Sequence, residues 1–215
     1  MSFSLKRLFL TIAGVMICSF SVGIFQIVEF GVDPFQCFAM GTHNPFASVL
    51  SYGTYYSLIS FIFLAIDFFL DRHYIGLATF INIFLTGYIV DFSYKWLLTI
   101  FVDLNMVSRV VLLLVAIVVM CFGSSMYYTG DLGVSVYDTI SLALADRKPK
   151  VFGKVVPFKY IRVFFDLLCV IIGFSFGKIP GIGTVITAFF MGPLIDFFNV
   201  HVMQPFVKDD KTFGK

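Results

Sequence analysis

Long apolar runs without a charged side chain are the feature that most limits what this chain can fold into. The first run, residues 8–28, holds 21 residues and no Asp, Glu, Lys or Arg. About 20 such residues are enough to cross the hydrocarbon core of a bilayer as one helix. Helices satisfy their own backbone hydrogen bonds, so they are the expected spanning elements. Comparable runs predict further spans at 51–70, 75–97, 108–128, 157–177 and 180–203.

The composition supports a membrane protein and argues against several other classes. Hydrophobic residues make up 59% of the chain and charged residues only 13%, whereas soluble domains average about 25% charged residues. No run of Lys and Arg forms a basic stripe for nucleic acid. The four cysteines lack CxxC or Cys/His spacing, so neither a metal nor another cofactor is expected. The sequence predicts an all-α polytopic membrane helix bundle whose main partner is the lipid bilayer.

Basic residues are distributed unevenly around the six predicted spans. With the N-terminus in the cytoplasm, 12 Lys and Arg fall on the inner side and 3 on the outer side, namely Lys95, Arg109 and Lys178. Such an excess is typical of cytoplasmic loops, so both termini are predicted to be cytoplasmic. The run at 8–28 is longer than a typical signal-peptide core, and we interpret it as an uncleaved first span.

The second half of the chain repeats the first. Residues 75–92 and 180–197 share seven of eighteen positions at a spacing of 105, and residues 30–35 resemble 132–137 at a spacing of 102. Two matches in the same order favour duplication over coincidence. The three extra residues fit in the longer, basic loop around 147–154. The identical pairs are Gly76/Gly181, Thr79/Thr184, Ile81/Ile186, Phe84/Phe189, Gly87/Gly192, Asp91/Asp196 and Phe92/Phe197.

The repeat divides one membrane domain into two halves, residues 1–104 and 105–215. Each half has three predicted spans, and because three is odd the second half must enter the membrane from the opposite side. The prediction is therefore two inverted three-span repeats, an arrangement that many secondary transporters share. A duplication retained for stability alone would leave the same pattern.

Two short apolar segments follow the first and fourth predicted spans, at 29–41 and 130–144, and neither is long enough to cross a bilayer. Asp33 before Pro34 is a good helix N-cap, and Ser135 can cap in the same way. The segments are either broken, re-entrant helices whose N-termini face a cavity, or helices that lie at the interface. Candidate ligand-binding residues in them are Asp33, Gln36, Gly133, Ser135 and Asp138.

Carboxylates inside the predicted spans are the other candidate binding groups, because a charge at membrane depth costs roughly 2.5–3.5 kcal/mol. Asp166 lies near the middle of the fifth span and is a candidate cation or proton site. Arg162, one turn earlier, would pair with it on the same helix face. Asp91 and Asp196 are repeat mates that either bind a ligand or end their spans in water. Asp67 is expected at the interface.

Three stretches carry a family resemblance. The sequences DLGVSVYDT (131–139), GIGT (181–184) and GPLID (192–196) resemble the bacterial YczE/YyaS/YitT family, and the likeness covers nearly the whole chain. Val136 departs from the family pattern, which has Pro after the Ser. The resemblance implies a multi-pass protein of the bacterial cell membrane. Because members are often linked to regulators similar to pyridoxal-phosphate enzymes, it also implies a vitamin B6-like or amine substrate.

These observations predict a small-molecule secondary transporter, driven by a gradient through a central cavity between the two halves. The alternative is a non-transporting membrane partner, a sensor or assembly subunit, whose cytoplasmic surface would be the basic loop at 145–162. The sequence has no HExxH, GxSxG or phosphate-binding loop, so an enzyme is not expected. The expected ligand is a small molecule or ion, and a homodimer is one arrangement in which so short a chain could build a pathway.

Overall fold

The computed structural model describes residues 5–151, 154–156 and 158–208, and these are helical apart from one small hairpin and the connecting loops. The all-α prediction is confirmed for this part of the chain. The helices are α1 (Leu5–Val28), α2 (Pro34–His43), α3 (Tyr52–Leu70), α4 (Leu77–Ile100), α5 (Met106–Gly130), α6 (Val136–Asp146), α7 (Phe158–Ser175), α8 (Ile182–Phe198) and α9 (Gln204–Lys208). The hairpin pairs β1 (Lys150–Val151) with β2 (Lys154–Val155), and a π-helical turn (Asn199–Met203) joins α8 to α9.

Five of these segments are long and apolar enough to cross a membrane: α1, α3, α4, α5, and α8 together with its continuation to Phe206. The chain therefore has the character of a membrane protein. The remaining predicted span, the fifth along the chain, corresponds to α7, which is helical but carries Lys159, Arg162 and Asp166 within its 18 residues. Length and apolar composition alone thus identify five spans among the described residues. The polar residues of α7 need a protein environment.

Helices α1 and α5 pack against each other through the centre of the bundle. Gly14 and Gly123 permit the close approach, since a Cβ on Gly14 would lie 2.7 Å from the carbonyl oxygen of Gly123. Small residues at such contacts are typical of membrane helix pairs. Helix α4 packs on α1, and α8 packs on α5. The two central helices therefore form a scaffold that the other elements surround.

The short helices α2 and α6 each pack against a long helix of the other half of the chain. Helix α2 lies on α7 and α6 lies on α3. The α2/α7 contact is a backbone contact, because a Cβ on Gly41 would lie 2.5 Å from the carbonyl oxygen of Gly173. The halves are consequently interlocked rather than placed side by side.

Extended backbone leads into each short helix. Gly31 and Gly133 have φ angles of +103° and +102°, a region that glycine enters without strain. The N–H of Gly183 donates to the carbonyl of Phe30 at 2.7 Å, and the N–H of Ala78 donates to the carbonyl of Leu132 at 2.9 Å. These bonds satisfy backbone groups that the surrounding helices remove from solvent. As a result α2 and α6 both begin in the interior of the bundle.

Candidate binding site

The N-termini of α2 and α6 meet at an internal cavity of about 70 Å³. The two N-cap residues, Asp33 and Ser135, line it together with Gln36 and Asp138 from the first helical turns. Such a volume holds a few water molecules or part of a small polar ligand. The remaining wall is aromatic and polar and consists of Cys18, Ser19, Val22, Phe35, Tyr56, Asn82, Thr86, Met120, Ser124, Tyr127, Tyr128, Tyr137, Arg162, Met191 and Ile195.

Local sequence explains why both short helices start where they do. The Asp33 carboxylate accepts a hydrogen bond of 3.2 Å from the Gln36 N–H, and Pro34 occupies the first helical turn. The Ser135 hydroxyl accepts one of 3.2 Å from the Asp138 N–H. The predicted N-caps are thereby confirmed. The Asp138 carboxylate accepts hydrogen bonds from Tyr127 and Arg162 in the cavity wall. Its backbone N–H belongs to the first turn of α6.

A buried ion-pair cluster closes one side of the cavity. Arg162 of α7 pairs with Asp138 of α6 and lies 3.4 Å, Nε to Oδ1, from Asp166 one turn along its own helix. The Tyr137 hydroxyl donates to Asp166 at 2.5 Å. All three charged side chains are less than a tenth exposed. The predicted Arg162–Asp166 pair is confirmed, and it belongs to a larger cluster that ties α6 to α7.

Asp33 is the cavity carboxylate with spare hydrogen-bonding capacity. Its Oδ1 caps α2, whereas its buried Oδ2 has no hydrogen-bond partner among the described residues. A buried acceptor without a partner is costly unless a ligand or water supplies a donor. With Asp138 and Asp166 sharing Arg162, the described carboxylates at the cavity outnumber the guanidinium. Burial disfavours a charged Asp33 unless a ligand brings positive charge and N–H donors, so the site in its charged form suits such a ligand.

Two aromatic rings at equivalent repeat positions hold the short helices together. Phe35 of α2 and Tyr137 of α6 stack with ring centroids 4.7 Å apart and planes 17° apart. The Arg162 guanidinium carbon lies 4.6 Å from the centroid of the Tyr137 ring. Aromatic pairs of this kind contribute about 0.5–1.5 kcal/mol beyond their buried area. A movement of either short helix would have to break or carry along this stack.

Two larger pockets lie at opposite sides of the cavity, and we call them the first and second vestibules. The first, about 580 Å³, is lined by Phe25, Gln26, Glu29, Gly31, Val32, Met40, His43, Asn44, Tyr52, Asp91, Tyr94, Lys178 and Ile179. The second, about 210 Å³, is lined by His73, Tyr74, Tyr128, Asp131, Gly133, Val134 and Leu142. Each residue of the second vestibule has its counterpart, at a spacing of 102 or 105, in the lining of the first.

Tyrosines separate the vestibules from the cavity. Tyr52 lines the first vestibule, and its hydroxyl donates to the side-chain oxygen of Gln36, which lines the cavity. Tyr128 lines both the cavity and the second vestibule. Each tyrosine therefore lies at the boundary between its vestibule and the cavity. The arrangement is a small charged chamber with a larger pocket on each side.

The predicted candidates fall into three places. Asp33, Gln36, Ser135 and Asp138 line the cavity. Asp166 does not line it but contacts Arg162 and Tyr137, which do. Asp91 and Gly133 line the first and second vestibules, respectively. Asp196, the repeat mate of Asp91, is exposed on α8 and lines none of the three pockets.

Several cavity residues were not among the sequence candidates. The sequence indicates Arg162 only as the partner of Asp166, whereas in the structure it bridges two carboxylates. Tyr137 is the repeat mate of Phe35, and that equivalence could have identified it. Asn82 and Thr86 form a polar stripe one turn apart on α4, and the Tyr56 hydroxyl donates to Asn82 at 3.4 Å. For Tyr127, Tyr128 and Ser124 the sequence offers no signal beyond polarity within a span.

Asp67 shows a burial that the sequence does not predict. The prediction that it lies at the interface concerns its depth in the membrane, whereas the structure shows that its side chain has no exposed surface. Both of its carboxylate oxygens lack hydrogen-bond partners among the described residues. The sequence gives no indication of this burial, because the charged residues Asp71 and Arg72 follow Asp67 closely along the chain. Separately, the described residues contain no group of three His, Cys, Asp or Glu that could hold a metal ion.

The sequence model of the DUF6198 family, described as a family of unknown function, matches residues 5–200. A Haemophilus influenzae protein described as uncharacterized is 25% identical over 138 residues, which are 64% of this chain and 59% of the relative. The chain therefore aligns with less than two thirds of that relative's length. No solved structure matches this chain.

Proposed function

The chain belongs to the DUF6198 family, and we propose that it is a secondary transporter of the bacterial cell membrane that carries a small organic cation. The observation that carries this proposal is the chamber itself. Buried Asp138, Arg162 and Asp166 and the half-partnered Asp33 surround a cavity between two vestibules. Charges at membrane depth are rare and usually mark a ligand or ion pathway. A bundle that needed only stability would be better served by apolar residues there.

We propose further that the two halves are inverted repeats, and pairs of matched contacts support this. Arg7 bonds to Asp131 at 3.2 Å, while Arg109, 102 residues after Arg7, bonds to Glu29 at 2.7 Å. Glu29 is in turn the repeat mate of Asp131. The packing of α2 on α7 and of α6 on α3 is also a matched pair, because each short helix packs on a long helix of the other half. In this arrangement α2 and α6 are re-entrant half-helices whose N-termini face the chamber.

The chemistry of the chamber favours a protonated amine as the ligand. Asp33 Oδ2 offers an unused acceptor, and the walls are rich in aromatic rings, which attract cations through their faces. An anionic ligand would face the excess of carboxylates. A vitamin B6-like amine combines a cationic group with a flat ring, so it matches both the chamber and the expectation from the sequence.

Transport would proceed by opening the first and second vestibules to the chamber in turn. The first vestibule is the wider, about 580 Å³ against about 210 Å³, so this conformation is closer to opening on that side. The predicted orientation makes it the outer side. Because matching residues line the two vestibules, an exchange of conformations between the halves would widen the second and narrow the first. A gradient would supply the energy.

Thermal unfolding of the detergent-purified protein with a panel of amines and vitamin B6 compounds tests the proposal. A ligand that binds only the folded state raises the melting temperature. We expect an amine to do so, Asp33→Asn to abolish the shift, and Asp196→Asn, the same change at an exposed site, to preserve it. The amine should then enter proteoliposomes that contain the protein. Binding without uptake would instead favour a sensor or assembly subunit.

A further inference from the structure

Asp67 on α3 is a buried carboxyl that the chamber does not use. Its side chain has 0% exposure, and neither oxygen has a hydrogen-bond partner in the described part of the chain. An isolated ionised carboxylate in an apolar interior costs several kcal/mol, and the neutral acid costs far less. The burial therefore favours a protonated Asp67 in this conformation.

The nearest polar group on α6 also suits the neutral acid. The Thr139 hydroxyl lies beside the Asp67 carboxyl, and it donates its hydrogen to the carbonyl of Ser135 at 3.1 Å. A hydroxyl has one hydrogen and two lone pairs, so Thr139 is left with lone pairs for Asp67. It can accept a hydrogen bond from a protonated carboxyl, and it can donate to a charged one only by giving up its bond to Ser135.

No described basic side chain neutralises Asp67. On α6, the charged neighbour is Asp138, which has the same sign and is bound by Arg162. Arg147, beyond the end of α6, donates to the carbonyl of Leu70 at 2.9 Å.

The other elements around α3 lead to the same conclusion. At the end of α3, Arg72 donates to the carbonyl of Phe68 at 3.4 Å, and the side chain of Asp71 accepts from the N–H of His73 at 2.9 Å. Helix α4 carries its charged residues, Asp91 and Lys95, toward its far end. On α2 the only described ionisable side chain other than Cys37 is His43, at its last turn.

A polar face of α3 leads from the chamber to Asp67. Tyr56, Ser60 and Asp67 follow one another on the buried side of the helix. Tyr56 lines the cavity, and the fully buried Ser60 hydroxyl oxygen has no partner among the described residues. Helix α6 packs against α3. The buried acid therefore lies on the same side of α3 as the chamber residue Tyr56, farther along the helix.

We infer that Asp67 is the proton site that couples transport to a proton gradient. It holds a proton while α6 is seated on α3, and it releases that proton to water when α6 moves away and the seam becomes hydrated. Thr139 and the ligand-facing Asp138 are adjacent on α6, so the same helix senses both the proton and the cargo. The coupling role rests on the proposed transport function, whereas the protonation of Asp67 does not.

In the equivalent seam between α2 and α7, the position that corresponds to Asp67 is apolar. At a spacing of 105, Ile172 stands in the place of Asp67, and next to it Gly173 is in backbone contact with Gly41. The proton site therefore belongs to one half of the chain only. That asymmetry gives the proposed cycle a defined place for proton binding.

Infrared spectroscopy of the purified protein tests the protonation. We expect a carbonyl band from a neutral carboxylic acid that persists at neutral pH and disappears as the pH becomes alkaline. Asp67→Asn should lack one carboxyl's share of this band, and Asp196→Asn should keep it. Asn mimics the neutral acid in size, so the variant should fold, and Asp67→Glu provides a second variant. An unchanged band in a folded Asp67 variant would overturn the assignment.

Thiol labelling of a Ser141→Cys variant tests the movement of α6. We expect its labelling rate to rise several-fold more with pH when Asp67 is present than in the Asp67→Asn background. Equal pH profiles would overturn the coupling. A labelling rate that changes with sodium concentration at constant pH would show that sodium, rather than a proton, is the coupling ion. If the infrared band behaves as expected but no amine binds, the transport proposal fails while the proton site stands.

Discussion

The two short helices occupy equivalent places in the repeat, but they contact their neighbouring long helices through different kinds of residues. Helix α2 meets α7 through Gly41 and Gly173, with backbone against backbone. Helix α6 meets α3 beside the unpartnered Asp67, and across the chamber it is held by charge, through Asp138 and Arg162. In place of Asp138, α2 has the neutral Gln36, which bonds to Tyr52. Close glycine packing cannot loosen without opening a void, whereas an acid and an ion pair respond to protons and ligands.

This difference predicts which short helix moves more readily. We expect α6 to leave its contact with α3 more readily than α2 leaves its contact with α7. The stack of Phe35 on Tyr137 would then mark where the tightly held and the loosely held helix meet. Each of the following experiments tests this contrast.

The largest effect should come from removing the cation that holds α6. Arg162→Met would leave Asp138 and Asp166 buried without a cation, and the free energy of unfolding should fall by about 3–5 kcal/mol. Chemical denaturation in detergent measures it. The matched change in α2, Gln36→Ala, removes one neutral hydrogen bond and should cost about 1 kcal/mol. The triple variant Arg162→Met, Asp138→Asn, Asp166→Asn should recover much of the loss, and a failure to recover would show that charge is not the cause.

Crowding the glycine seam should have the next largest effect. A Cβ on Gly41 would lie 2.5 Å from the Gly173 carbonyl oxygen, so Gly41→Ala should destabilise the protein by about 1–3 kcal/mol. Ser141→Ala on α6 removes a buried hydroxyl that lacks a partner among the described residues, and it should be neutral or stabilising. Melting temperatures of the two variants compare the seams. Equal losses would mean that both helices are packed equally tightly.

Opening the tyrosine partitions should change access more than stability. Tyr52→Phe loses the hydrogen bond to Gln36, worth about 1 kcal/mol. A thiol reagent that enters from the first vestibule should then reach Cys18, which lines the cavity, several-fold faster. A Cys18→Ser background identifies the labelled thiol. An unchanged labelling rate of Cys18 would show that Tyr52 does not restrict access from the first vestibule to the cavity.

The smallest effect should come from the matched ion pairs at the ends of α1 and α5. Glu29 and Asp131 are 70% and 63% exposed in their pairs with Arg109 and Arg7. Exposed pairs contribute about 0–1 kcal/mol, so Glu29→Gln and Asp131→Asn should each lower the free energy of unfolding by less than that. Denaturant midpoints measure both. A much larger loss for one of them would indicate that its half depends on the pair for more than surface attraction.

Much of the local structure was predictable because its causes are local. Apolar runs and N-caps predicted the helices, including α2 with Asp33 and Pro34 and α6 with Ser135. The spacing of the Gly31 and Gly133 segments predicted two equivalent breaks. Five of the six predicted spans are also apolar enough to cross a membrane. The exception, α7, carries Arg162 and Asp166 of the buried ion-pair cluster, and these charged residues lower its apolar character.

The membrane character of this protein, its helices and the two breaks follow from the sequence alone, because hydrophobic length and capping act over a few residues. The packing of the helices was needed to show that Arg162 joins two carboxylates, that Tyr52 bonds to Gln36 beside the cavity and that Asp67 is buried. These facts depend on which long helix each short helix packs against. That choice brings together residues far apart in the chain, such as Asp67 and Thr139, whose proximity follows from burial and packing rather than from any local pattern.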